Sequence, residues 1–229
     1  MCDCVLTPLS QPPAALIFDL DGTLVDTVET RITAWLRTFD EYGLPAERGH
    51  VAKLIGSDGK RLARVVAEAA GRAIDAGLAE EIDRRSGEIY SLLNTDPRPL
   101  PGAPELLQAL DDVGLRWAIA TSSRPEQVGR SIESLNLPRP PTVIDGSRVE
   151  HAKPAPDLLF FAAKELGAEP SRAWYVGDSI WDMQAAKAAG MPAIGVVSGS
   201  ATAEELDTAG AMLTVDNLNR LVPLIKART

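Results

Sequence analysis

The stretch Ile17-Phe18-Asp19-Leu20-Asp21-Gly22-Thr23-Leu24-Val25-Asp26-Thr27 starts as the end of a buried strand and then sets two carboxylates one residue apart. In a strand, residues i and i+2 point to the same side, so Asp19 and Asp21 converge if the strand continues that far. Two neighbouring carboxylates repel, and one tends to stay protonated unless a cation neutralises the pair. A hard divalent cation with oxygen ligands is the natural solution. Gly22 permits a tight turn, and Thr23 is placed to hydrogen-bond back to the loop. A bare Asp-x-Asp reads mostly as an acidic surface turn. After an apolar strand and before Gly-Thr, that reading loses most of its weight.

Outward from this stretch, apolar residues recur at helical spacing: Val28, Ile32, Trp35, Leu36, Phe39 and Tyr42, then Leu62, Val65, Val66 and Ala69, then Leu78, Ile82, Ile89, Leu92 and Leu93. No strand pattern falls between Thr27 and Arg98, and Asp96-Pro-Arg-Pro-Leu-Pro-Gly102 breaks the helices. From there strands are expected at 115–120, 142–144, 173–176 and 193–197, with helices at 103–113, 124–135, 156–166 and 182–189. Such alternation predicts right-handed crossovers and a parallel sheet covered on both faces, with ligands bound outside the carboxyl ends of the strands. The fold class expected is α/β, a Rossmann-like core interrupted after its first strand by an all-helical insert.

Composition agrees with a globular protein: 229 residues, 45% hydrophobic and 24% charged. The net charge of −9 argues against a nucleic-acid surface. No apolar run reaches membrane-spanning length, and no signal peptide is seen, so the expectation is a cytoplasmic protein without a membrane partner. Cys2 and Cys4 form neither a disulfide framework nor a zinc set.

Three more strand ends carry chemistry. Ala120 is followed by Thr121-Ser122-Ser123, whose hydroxyls and N–H groups suit an oxyanion but equally make a helix N-cap. In His151-Ala-Lys-Pro-Ala-Pro156 the prolines hold Lys153 ahead of a helix, where it is either an ordinary solvated lysine or a partner for a phosphoryl group or carboxylate. Val176 leads into Gly177-Asp178, with Asp182 four residues later on the first helical turn; helix starts also carry Asp for capping.

Taken together, Asp19-Leu-Asp21-Gly-Thr23, Thr121, Lys153 and Gly177-Asp178 with Asp182 resemble the four motifs of the haloacid dehalogenase superfamily, over nearly the whole chain. The helical insert resembles the cap of the branch holding phosphoglycolate phosphatase-like and β-phosphoglucomutase-like members. The resemblance implies a catalytic core at 1–26 and 99–229 and a cap at 27–98. It implies Asp19 as nucleophile forming an aspartyl-phosphate and Asp21 as acid and base. Mg²⁺ would be held by Asp19, Asp21 through its carbonyl, and Asp178, with Asp182 supporting the shell, while Thr121 and Lys153 hold the phosphoryl oxygens. Gly22, Ser122, Arg124 and Lys60 are expected at the substrate.

The reaction expected is hydrolysis of a small phosphorylated metabolite, a sugar phosphate or phosphoglycolate, by a monomer or weak dimer. The metal-free dehalogenases of the family lack the second Asp, which is present here as Asp21. A phosphosugar mutase is the alternative, and a non-catalytic binding protein a further one, although no motif is broken. The mutases resemble this chain through Asp26-Thr27 and Ala34-Trp35 but carry a His where Arg31 stands. Their cap loop carries an Arg where this chain has Gly59, next to Lys60 and Arg61. Both departures favour water as acceptor. The loop 55–61 is expected to reach the catalytic face or to be a polar interhelical loop.

Overall fold

Ala15–Phe18 (β1) is apolar on both faces and completely buried, as a central strand of a parallel sheet must be. The computed structural model describes residues 12–227, so Cys2 and Cys4 lie outside the described residues. After β1 come Val28–Glu41 (α1), Arg48–Leu54 (α2), Gly59–Ala69 (α3) and Ala76–Leu93 (α4). Then follow Ala103–Asp112 (α5), Arg116–Ala120 (β2), Pro125–Ser134 (α6), Val143–Ile144 (β3), Asp157–Glu165 (α7), Ala173–Gly177 (β4) and Ile180–Ala189 (α8). Ala193–Val196 (β5), Ala203–Ala209 (α9), Leu213–Val215 (β6) and Val222–Lys226 (α10) follow among the described residues.

The sheet order is β3-β2-β1-β4-β5-β6, and every pairing is parallel. Alternate strand residues face opposite sides, so Ala15 and Ile17 pack with α7 and α8 through Leu158, Leu159 and Met183, while Leu16 and Phe18 pack with α5 and α10 through Leu106, Leu110 and Ile225. The order reverses at β1, whose neighbours β2 and β4 leave it on opposite sides. This switch point is where ligands enter such sheets, and the residues that follow β1, β2 and β4 there are Asp19, Thr121 and Asp178.

Helices α1 to α4 share a core of their own around Val28, Trp35, Phe39, Leu62, Val66 and Ile82. Trp181, from α8 of the sheet layer, is buried in that core and donates its indole N–H to Lys53 O at 3.0 Å. The two chain crossings into and out of this block run side by side: Asp26 N–H donates to Arg98 O at 2.8 Å and Leu100 N–H to Leu24 O at 2.9 Å. No helix of the described residues is long and apolar enough to cross a membrane.

Candidate active site

The strand carrying the first carboxylates stops sooner than the alternation argument requires. β1 ends at Phe18, Asp19 N–H still bonds to Val176 O at 2.9 Å, and the chain then turns. Leu24 and Val25 donate back to Leu20 O, and Gly22, at φ 83°, donates to Val25 O. Asp19 and Asp21 therefore do not converge. Asp19 is buried and faces Lys153, whose ammonium lies 2.5 Å from Asp19 Oδ1 and 2.8 Å from Asp182 Oδ1. Asp21 turns instead to Thr27 Oγ1 at 2.6 Å, Arg31 at 2.9 Å, Ser123 Oγ at 2.7 Å and the Tyr90 hydroxyl at 3.1 Å.

Asp19, Asp178 and Asp182 do come together: one oxygen from each lies within 4.8 Å of the others, and all three are buried. Asp182 is fully engaged. Its Oδ1 accepts from the Tyr175 hydroxyl at 2.9 Å besides meeting Lys153, and its Oδ2 accepts from the Ser179 N–H and hydroxyl in a capping box. Asp178 Oδ1 accepts from Thr23 Oγ1 at 2.7 Å. Its Oδ2 and that of Asp19 receive no donor among the described residues. A Cβ on Gly22 or Gly199 would stand 2.5 or 1.7 Å from Asp178 Oδ2. Glycine thus lets the backbone close around this oxygen.

Burial pushes Asp19 up to about 7, opposed by Lys153 and reinforced by Asp182. Burial, with Asp182 and Asp19 beside it, raises Asp178 well above the carboxylate range. Burial also works against the Lys153 ammonium, but Asp182 and Asp19 outweigh it and raise its pKa. Three buried carboxylates against one buried ammonium leave negative charge uncompensated. A divalent cation with hard oxygen ligands fits that donor set. Asp21 differs: burial alone would raise it, yet Arg31, Thr27 and Ser123 hold it below its usual range.

The site opens on a cavity lined from the sheet side by Asp19, Asp21, Thr121, Ser122 and Lys153, and from the helical block by Arg31, Trp35, Ser57, Asp83 and Ser86. Thr121 is buried and accepts from Ser123 N–H at 3.1 Å. Three residues expected at the substrate stand elsewhere. Gly22 packs against Asp178 rather than lining the cavity. Arg124 pairs with Asp83 at 2.8 Å and Glu80 at 2.5 Å, both on α4. Lys60 lies 3.7 Å from Glu80, so acidic neighbours hold both cations away from the lining.

A model of the haloacid dehalogenase-like hydrolases matches residues 16–196. The chain belongs to this family. It is a hydrolase of the branch that holds phosphoglycolate phosphatase-like and β-phosphoglucomutase-like members. The chain is 30% identical to a phosphoglycolate phosphatase of Pseudomonas syringae over 92% of its length and 79% of that protein's. It is 32% identical to the fructose-1-phosphate phosphatase of Escherichia coli over 80% of its length and 96% of that protein's. The crystal structure of a hydrolase from Pseudomonas syringae superposes with a TM-score of 0.88 at 32% identity, covering 93% of this chain and 98% of that one.

Four residues at the site escape the motif reading. Arg31 donates to Asp21, to Ser123 Oγ at 2.6 Å and to Gln127 Oε1 at 2.8 Å, and its guanidinium lies 3.4 Å over the Tyr90 ring. Arg31 was visible in the sequence only as a departure from the mutase pattern. Tyr90, Gln127 and Asp83 had no signal beyond their helical positions.

Proposed function

We propose that this chain is a Mg²⁺-dependent phosphatase that hydrolyses a small phosphorylated metabolite through a phosphoryl group carried on Asp19. One observation carries the reading: a buried carboxylate at the end of β1, facing a cavity, held by a buried lysine 2.5 Å away and flanked by two further buried carboxylates. Burying so many carboxylates is costly to folding, and perturbed carboxylates of this kind cluster at functional sites.

In this reading Asp19 attacks phosphorus and the ester oxygen departs. Thr121 and Lys153 hold phosphoryl oxygens. Asp21 gives the departing oxygen its proton and then takes one from the water that cleaves the aspartyl-phosphate. Arg31, Thr27 and Ser123 favour the carboxylate form of Asp21, the form the second step needs. For the first step Asp21 takes up a proton from solvent at Oδ1, while Arg31 stays on Oδ2. Asp19, the carbonyl of Asp21 and Asp178 would hold the Mg²⁺, with Asp182 fixing Lys153 and the loop. When bound, the ion offsets the repulsion between an anionic nucleophile and an anionic phosphate.

Residues 27–98 act as a cap in this proposal. The cavity lies between this block and the strand ends and measures about 60 Å³, room for a few waters. In this proposal substrate enters with the block swung away on the paired strands of chain at 26 and 98. The phosphatases among the relatives support water as the acceptor. The test is release of inorganic phosphate from p-nitrophenyl phosphate and a metabolite panel, with and without Mg²⁺. Turnover that survives complete chelation, or no turnover of any ester, contradicts the reading.

A further inference from the structure

Asp83, Ser86, Gly87 and Tyr90 recur at i, i+3, i+4 and i+7 on α4, one face of that helix. The first three line the cavity, and Tyr90 beside them bonds Asp21. Three polar groups on or beside this face have hydrogen-bonding capacity left over. Ser86 is 4% exposed, and its hydroxyl has no partner among the described residues. Gln127 is 7% exposed and spends Oε1 on Arg31, while its Nε2 sits 1.9 Å from where a Cβ on Gly87 would stand and meets no acceptor among the described residues. Asp83 accepts from Arg124 at Oδ2, while its Oδ1 occupies the space of a side chain at Gly59 and receives no donor among the described residues. Buried polar groups are normally paired, so the loose ends of buried Ser86 and Gln127, with half-buried Asp83 beside them on the same cavity wall, point to a ligand that pairs them.

The charges narrow that ligand. Both cations of the lining are committed, Lys153 to Asp19 and Asp182 and Arg31 to Asp21. Lys60 pairs with Glu80, and Arg61 lies 5.1 Å over the Trp181 ring, outside the lining. Among the described residues no cation of the wall is left to meet a second anionic group. A hydroxyl both donates and accepts, so it suits the serine, the amide and the carboxylate alike; a carboxylate only accepts and meets Asp83 as a like charge.

We propose that this face of α4, with Gln127 beside it, reads the hydroxyls of an uncharged sugar, so that the substrates are monophosphates of neutral sugars rather than phosphorylated carboxylic acids or bisphosphates. The inference rests on the phosphatase reading above. Asp83 and Ser86 are then the residues that set specificity.

The experiment measures kcat/KM of the Mg²⁺-loaded enzyme for a panel of hexose and pentose monophosphates, for phosphoglycolate and for p-nitrophenyl phosphate. The wild type, Ser86→Ala and Asp83→Asn are compared. The expected result is a preference of about tenfold or more for the best sugar phosphate over phosphoglycolate, falling about tenfold in each variant through a raised KM for the sugar. Equal or inverted preference in the wild type overturns the inference, as does a ratio unmoved in both variants. The wild-type ratio carries the test alone if a variant fails to fold. Cleavage of the aryl phosphate and phosphoglycolate but of no sugar phosphate overturns this inference and leaves the phosphatase reading standing. No release from any ester overturns both.

Discussion

Asp19 and Asp21 are two residues apart in sequence and belong to different electrostatic neighbourhoods. Asp19 shares a buried group with Asp178, Asp182 and Lys153; Asp21 is neutralised by Arg31. For Asp19 the folded pKa of about 7 lies above the ordinary value of 3.8. Between those values the folded state holds a proton that the unfolded state has lost, so stability falls as pH rises across the window. Mg²⁺ would replace that proton. The melting-temperature gain on adding Mg²⁺ should therefore be small at pH 5 and larger at pH 8; a gain independent of pH contradicts the assignment. Gly22 gives a second test. At φ 83°, and with a Cβ falling 2.5 Å from Asp178 Oδ2 and 2.6 Å from Val28 Cγ2, Gly22→Ala should cost about 1–3 kcal/mol. It should also weaken Mg²⁺ binding, measured by thermal shift. These residues were legible because strand-end carboxylates stand out against apolar runs. Where their side chains turn was not, because that depends on β1 stopping at Phe18 and on Arg31 arriving from α1.

At the scale of elements, α1 and α4 bring the helical block to the chemistry. Thr27 at the start of α1, Arg31 on α1 and Tyr90 on α4 supply three of the four groups bonded to Asp21. Arg31→Ala should lower kcat about 100-fold while circular dichroism stays native. Arg31→Lys, which keeps the charge but loses the two-pronged geometry, should recover part of that loss. Wild-type kcat in Arg31→Ala would show that the ion pair is structural only. The periodicity of α1 and α4 was readable from Val28, Ile32, Trp35 and Phe39 and from Ile82 and Ile89. Periodicity finds the apolar stripe, however, and the polar residues beside it that face the cavity carry no such mark. Short elements were missed for a related reason. α2 has seven residues, and β6 has three, all only half-buried, too few to establish a period.

Across the whole molecule, α8 links the sheet layer to the block through Trp181, which grows from the sheet layer but is buried among Val28, Leu62 and Ile82 of the block. Trp181→Ala should cost about 3–5 kcal/mol, read from denaturant unfolding, because it empties the contact surface of both parts. A cost near zero would mean that the block and the core do not share this packing. The strand-and-helix rhythm made the parallel sheet and the insertion point legible from sequence. The packing of one part against the other was not, since Trp181 stands in the sequence just ahead of the helix expected at 182–189 and carries no mark of what it packs against. Whether Asp19 carries the phosphoryl group is decided by quenching the enzyme in acid during Mg²⁺-dependent turnover of p-nitrophenyl phosphate and mapping phosphoryl mass by peptide mass spectrometry. The expected result is that mass on the peptide containing Asp19 in the wild type, and neither the adduct nor turnover in Asp19→Asn. A phosphoryl group on another residue, or wild-type turnover by Asp19→Asn, would contradict it.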